Sequence, residues 1–360
     1  MKTAQAYKAL RWIFVIILSN CIVHPILAED IELTRTEKLA FPIQASHELE
    51  IRNRYGTIDI QNWDKNSVEV SITIVARASK ADKAQKRLDG VYIRDRQYSK
   101  KLQLVSEFES LPIIRIGQPS VEVHYRIRMP ASNPLDLENK HGDVIVGNRT
   151  GSIDIDLSYG NFQADQLAAD DNHIRINGGD IDIVSVNGID IDGSFGKLFI
   201  GTADFILFKG KSFKTEIDEV KTLEVYANMC KMDIEEAGSV SGTYSSANFS
   251  LKRLKSHISL TLKYVKSFKI ETLLPGFVGL DLHSRYSFID LNFAPSTGVD
   301  IEAVMYFGVL RINGEEPQFE DIEVVGEKAT GRLYDFALGK GTKGKIRMES
   351  KFGNIRLGSR

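Results

Sequence analysis

The sequence predicts an all-β protein: an elongated β-solenoid with rungs of about 20 residues, preceded by a small sheet that carries one short helix. Three observations lead there. First, between His141 and Ile200 a turn, usually ending in Gly, is followed again and again by apolar residues at every second position, as in Gly142-Asp143-Val144-Ile145-Val146 and Gly179-Asp180-Ile181-Asp182-Ile183. Alternation of this kind sets Ile153, Ile155 and Leu157 on one face and Asp154 and Asp156 on the other, as a half-buried strand requires. Second, an aromatic-small pair marks the turns at Tyr55-Gly56, His141-Gly142, Tyr159-Gly160, Phe195-Gly196, Tyr226-Ala227, Tyr244-Ser245, Tyr286-Ser287, Phe307-Gly308 and Phe352-Gly353. Asn177-Gly178 and Tyr264 fill the wider gaps, which leaves about ten or eleven units on the scale of solenoid rungs. Third, only one segment has a helical period.

Taken in order, the first 28 residues read as a secretory leader. Lys2, Lys8 and Arg11 precede an apolar run from Trp12 to Leu18, resumed from Cys21 to Leu27, and Ala28 offers a cleavage site before Glu29-Asp30. The run is too short and too interrupted by His24-Pro25 for a spanning helix. Cys21 continues the apolar core and is not read as a lipidation site. With Cys21 removed, Cys230 is the remaining cysteine and sits at an apolar strand position, as a small buried residue would.

Residues 29–130 form a strand-rich front portion. Strands are expected at Leu49–Tyr55, Thr57–Ile60 and Val68–Ile74, with Gly56 turning the first into the second. A helix is expected near residues 80–89, capped by Ser79 with Asp82 and ended by Gly90; Ala81, Ala84 and Leu88 form its apolar stripe. Strands return at Val91–Arg94, Leu102–Phe108 and Val121–Met129. Pro130 to Pro134 marks a boundary, and residues 131–360 carry the repeats.

The front pieces Asn53-Arg54-Tyr55-Gly56-Thr57-Ile58-Asp59-Ile60, Trp63-Asp64 and Tyr125-Arg126-Ile127-Arg128-Met129-Pro130, running into Leu135–Val144, resemble a bacterial family of unknown function provisionally labelled as adhesins. The resemblance covers roughly residues 45–310. It implies a right-handed β-helix-like stack in the cell envelope, and it brings no catalytic residues with it.

Charge and motifs narrow the function. Beyond residue 28 the chain carries 43 basic and 48 acidic residues, a net charge of −5 that argues for neither nucleic acid nor a membrane. Asp154, Asp156, Asp180, Asp182, Asp190 and Asp192 form a ladder, but without the nine-residue period of calcium-binding β-rolls they read as a solvated outer face. The seven histidines are scattered, and no metal spacing, nucleophile elbow or phosphate loop occurs, so no metal, cofactor or catalytic residue is assigned. Between Glu236 and Glu271 there is no acid, while Lys252, Arg253, Lys255, Lys263, Lys266 and Lys269 form a candidate patch for an anionic glycan or lipid head group. The expectation is a non-enzymatic exported envelope protein, periplasmic, outer-membrane-associated or extracellular, with an adhesin-like binding or scaffolding role. No transmembrane helix is expected in the mature chain. The alternative is a polysaccharide-active β-helix lyase or hydrolase.

Overall fold

From Leu135 onward, residues at matching positions of successive strands become hydrogen-bonded neighbours. In a computed structural model, which describes residues 30–359 apart from 45, 111, 116–117, 295, 324–329 and 341–342, Leu137 pairs with Ile155, Ile155 with Ile174, and Ile174 with Ile191, all in parallel. A second line runs Ile217, Ile234, Leu251, Ile270, Leu291. The alternation expected from the sequence is what such pairing uses: these side chains are all buried, and the residues between them face outward. Twenty-four strands join in one mixed sheet, and one hydrophobic cluster runs from Phe41 to Leu357. Cys230 lies inside it, fully buried, with its Sγ 3.4 Å from both the Phe213 N–H and the Asn228 carbonyl; burial raises its thiol pKa. The leader falls outside the described residues.

Both ends of the stack depart from chain order. Near the N-terminus, Glu48–Tyr55 lies between Lys101–Phe108 and Leu135–His141, and Ile58–Asn62 between Val121–Met129 and Val144–Val146. Ser67–Ala78 then runs antiparallel between Val121–Met129 and the edge strand Ile31–Pro42. The C-terminus mirrors this arrangement. Lys343–Lys351 is inserted between Gly279–Arg285 and Gly298–Tyr306, and Asn354–Ser359 between Phe288–Phe293 and Leu310–Ile312. Thr330–Leu338 covers the far edge of Gly298–Tyr306 in antiparallel fashion. The antiparallel strands at each end blunt the sheet edges that a bare parallel stack would offer to another chain.

The helix spans Ala81–Asp89, with Ala84 and Leu88 buried. Its cap differs from expectation. Lys80, not Ser79, holds the extended cap position, and no side chain closes the cap. Gly90 sits at φ −80° and not in the left-handed region, so the end closes by its N–H donating to the Lys86 carbonyl at 3.2 Å. Packing holds the short helix instead: Arg35 on the edge strand donates to the carbonyls of Leu88 and Val91 at 3.1 and 2.6 Å.

The turns resolve into corners with left-handed backbone. Tyr159, Phe195, Ser212, Met229, Ser246, Tyr264, Tyr286, Phe307 and Phe352 all have φ between 52° and 62°, a conformation that costs on the order of 1 kcal/mol for a residue with a Cβ. The expected turn marks at Tyr226 and Tyr244 are therefore displaced. The corners there are Met229 and Ser246, while Tyr226 is exposed on a strand and Tyr244 is fully buried, donating to main-chain carbonyls of Cys230 and Asn248. Two residues before a corner the strand faces inward, which is where an aromatic ring finds the core.

Glycine follows the corner wherever neighbouring turns come closest. A Cβ on Gly179 would lie 1.9 Å from the Gly160 carbonyl oxygen, and one on Gly160 would lie 2.1 Å from that of Gly142. Only glycine leaves room for the backbone of the adjacent turn.

Candidate functional site

Rings at the corners and at two strand ends, Tyr55 and His141, form two stacks. Tyr55, His141 and Tyr159 stack at 5.0 and 5.3 Å between centroids, with planes 6° and 7° apart. Tyr264, Tyr286, Phe352 and Phe307 stack at 5.2, 4.9 and 4.8 Å, in an order that follows the inserted C-terminal strands and not the chain. His141 takes an aromatic's place as expected. Burial, with Arg54 and Lys140 beside it, pushes its pKa below the ordinary value, so it holds the ring stack as a neutral side chain. The inner rings are covered by a neighbour on each face, whereas the end rings Tyr159, Tyr264 and Phe307 are 65%, 59% and 65% exposed. Such stacking stabilises the corners.

A line of cations runs beside the second stack. Lys263 pairs in register with Arg285, and Arg285 with Lys351. Each residue immediately precedes a corner aromatic. The Arg285 guanidinium lies 5.4 Å from the Tyr286 ring centroid and the Lys351 ammonium 5.2 Å from that of Tyr306.

The patch expected from the sequence is divided by the fold. Lys252 pairs with Glu235, Lys255 with Glu236, Arg253 with Glu236 at 2.8 Å, and Lys269 with Glu271 at 2.7 Å. Lys255 and Arg253 hydrogen-bond Glu236 and hold its carboxyl below the usual range. The stretch without acids in the chain thus faces acids on the preceding strand, 17 residues back in register. Of the six, Lys263 belongs to the cation line, and Lys266 lies on the turn that follows Tyr264.

The aspartate ladder is likewise absorbed by neighbouring strands. Asp154 meets Arg175 at 2.6 Å and Asp190 meets Lys209 at 3.3 Å. Asp180 occupies a turn, where its Oδ1 accepts the Lys197 backbone N–H at 2.9 Å. Two turns earlier, Asp143 does the same for Asn161 at 2.9 Å. These side chains satisfy main-chain donors that the corners leave open.

A carboxylate cluster was not legible in the chain: oxygens of Glu48, Glu50 and Asp136 lie within 4.8 Å of one another. Two cations occupy their surroundings. Lys101 Nζ is 2.8 Å from both glutamates, and Arg52 meets Asp136 at 2.6 Å and Glu50 at 3.1 Å, so the cluster is an ion-pair network between three strands. Burial pushes the Glu50 carboxyl up, but hydrogen bonds from Lys101 and Gln103 and the Arg52 charge outweigh it and hold the pKa below its ordinary 4.5. A carboxyl depressed in the folded state contributes stability above its ordinary pKa and loses it as pH falls through the folded value. Glu50→Gln is therefore expected to unfold more easily than the native chain at pH 7, with the gap closing on acidification below about 4. Denaturation midpoints at pH 7 and pH 3 test this, and a gap that stays constant would contradict it.

Arg149, with 1% of its surface exposed, is a further buried charge. It donates to Asn62 Oδ1 at 3.1 Å and to the Asn133 carbonyl, and burial pushes its pKa down to about 10. Asn133 in turn donates to the carbonyls of Gln44 and His47, both at 2.7 Å. The group ties the first loops to the start of the repeats.

No family model matches the chain, and no curated protein matches it. Among solved structures, a provisionally named cell adhesion protein from Clostridium sporogenes is similar at 11% identity over 91% of this chain and 100% of that one, with a TM-score of 0.23. A provisionally named adhesin from Bacteroides fragilis aligns at 11% identity over 90% and 97%, TM-score 0.29. A provisionally named lipid binding protein from Parabacteroides distasonis aligns at 11% over 89% and 96%, TM-score 0.31. At such TM-scores these likenesses define neither the fold nor the function of the chain. Its own geometry defines an all-β protein, and no helix among the described residues is long and apolar enough to cross a membrane.

Proposed function

We propose that the chain is an exported, non-enzymatic envelope protein, a right-handed β-solenoid with rungs of about 20 residues whose outer surface binds an anionic envelope polymer in an adhesin-like or scaffolding role. Parallel pairing that advances by 17 to 22 residues from strand to strand supports the solenoid. The observation that carries the binding role is the in-register line Lys263, Arg285, Lys351. Lys263 and Arg285, like charges on adjacent strands, repel, and a polyanion lying across them relieves that repulsion. Lys266, from the sequence-derived patch, extends the same surface. The leader at residues 1–28, the front portion over 29–130 and the repeats over 131–360 complete this reading.

The test is binding of the mature chain to uronic-acid and other envelope polysaccharides at low and high salt. Salt-sensitive binding without turnover is expected, weakened at least about tenfold when Lys263, Arg285 and Lys351 are changed together to Glu. Sustained product formation would replace this reading with the polysaccharide-active enzyme.

A further inference from the structure

Across the outer faces of this protein, cations usually sit opposite acids one strand away, as Arg175 does to Asp154, Arg253 to Glu236 and Arg347 to Asp281. In the last strands a second cation stands beside such a pair. Arg311 pairs in register with Arg356, so two guanidinium-bearing residues project side by side on the outer face. Beyond them Asp290, Arg356's other register partner, pairs with it at 3.9 Å, so an acid flanks the two cations on one side only. No carboxylate among the described residues forms an ion pair with Arg311. Two like charges at facing positions destabilise a sheet unless an anion lies between them.

The surface around this pair is concave. A groove of about 760 Å³ opens over it, walled by Phe288 and Val309 on one side and by Asn292 and Asn313 on the other. The hollow has a specific origin. Gly358 pairs in register with Asn292, and a Cβ there would lie 2.5 Å from Asn292 Oδ1 and 3.9 Å from Asn313 Oδ1. Any larger residue would fill the floor between the two amides.

We propose that this groove binds a carboxylated sugar, such as a uronic acid unit of an envelope polysaccharide; the proposal rests on the reading above that the chain binds an anionic polymer. Two planar guanidinium groups suit one carboxylate, which each can grip through paired N–H donors. Asn292 and Asn313 carry both donors and acceptors, which suits ring hydroxyls. Phe288, 44% exposed, and Val309 supply an apolar wall for the C–H face of the ring. The volume falls in the range of small-ligand sites. Because Arg311 comes from Leu310–Ile312 and Arg356 from Asn354–Ser359, the site exists only once the C-terminal strands are inserted.

The experiment is calorimetry on the mature chain with short oligomers of galacturonate, glucuronate and mannuronate, their neutral counterparts, and inorganic sulfate. At least one uronate oligomer is expected to bind, with neutral oligomers and sulfate at least tenfold weaker. Arg311→Gln and Arg356→Gln should each reduce affinity at least tenfold. Gly358→Gln should do the same with no charge removed, and the native unfolding midpoint of the two arginine variants confirms that they remain folded. Equal binding of neutral oligomers or sulfate overturns the proposal, as does uronate binding untouched by the arginine substitutions. If binding survives in the arginine variants and is lost in the Lys263, Arg285, Lys351 variant, the groove fails while the wider reading stands. If no anionic oligomer or polymer binds the native chain, both fail.

Discussion

Deleting residues 343–360 is expected to release Gly298–Tyr306, Leu310–Ile312 and the strands packed beyond them, while the chain up to Phe293 stays folded. Among the described residues the inserted strands are the sole ladder joining the two sides: Tyr286 donates to the Lys351 carbonyl at 2.9 Å on one edge, and Phe352 donates to that of Tyr306 at 2.8 Å on the other. They also carry Ile346, Met348, Ile355 and Leu357 into the core, each at most 4% exposed and each worth about 2 kcal/mol of burial. Phe352 is the ring between Tyr286 and Phe307. The strands from Leu135 to Phe293 pair with neighbours other than the deleted segment along most of the sheet, so the damage should stay local. Hydrogen exchange read by mass spectrometry should show protection lost across 298–312 and 330–338 and kept across 135–293; a truncated chain that still protects 298–312 and 330–338 would refute the inserted strands' role. Peptide 343–359 supplied in trans should restore part of the protection, since the Gly279–Arg285 and Phe288–Phe293 edge of its slot stays folded.

The second large effect is expected at the glycine column. Gly179→Ala sets a methyl 1.9 Å from a main-chain carbonyl that is itself held in the stack. Neither backbone can retreat without breaking its own ladder, so a loss of about 3 kcal/mol is expected, at the top of the range for overpacking. Gly147→Ala is the matched control. Its Cβ would meet nothing nearer than Asn62 Nδ2 at 3.6 Å, and a change within about 0.5 kcal/mol is expected. Urea unfolding of both variants decides the matter, and equal losses would mean that close approach of the turns is not what selects glycine.

Much of this was legible because it is local. Ile153, Ile155 and Leu157 are buried as the alternation requires, Val121–Met129 has the expected bounds, and the helix differs from its expected span by a residue. The misplaced turns at Tyr226 and Tyr244 have a physical source. A left-handed corner needs a backbone conformation and not an aromatic ring, and Ser212, Met229 and Ser246 meet that need without one. The candidate patch was legible only in part. Its lysines were found by the absence of acids along the chain, yet Glu235 and Glu236 reach them from the preceding strand.

By itself the sequence determined the strands, the buried face of each and the need for tight glycine corners, because these follow from period-two alternation and from the local sterics of φ. Only the tertiary structure decided which strands are neighbours. The insertion of Glu48–Tyr55 and of Lys343–Lys351 out of chain order, the joining of Glu50 to Asp136, and the meeting of Arg311 with Arg356 all depend on pairings between residues 45 to 86 positions apart. No local propensity encodes such pairings; they are selected by the burial and edge hydrogen bonds that the whole stack gains when its gaps are filled.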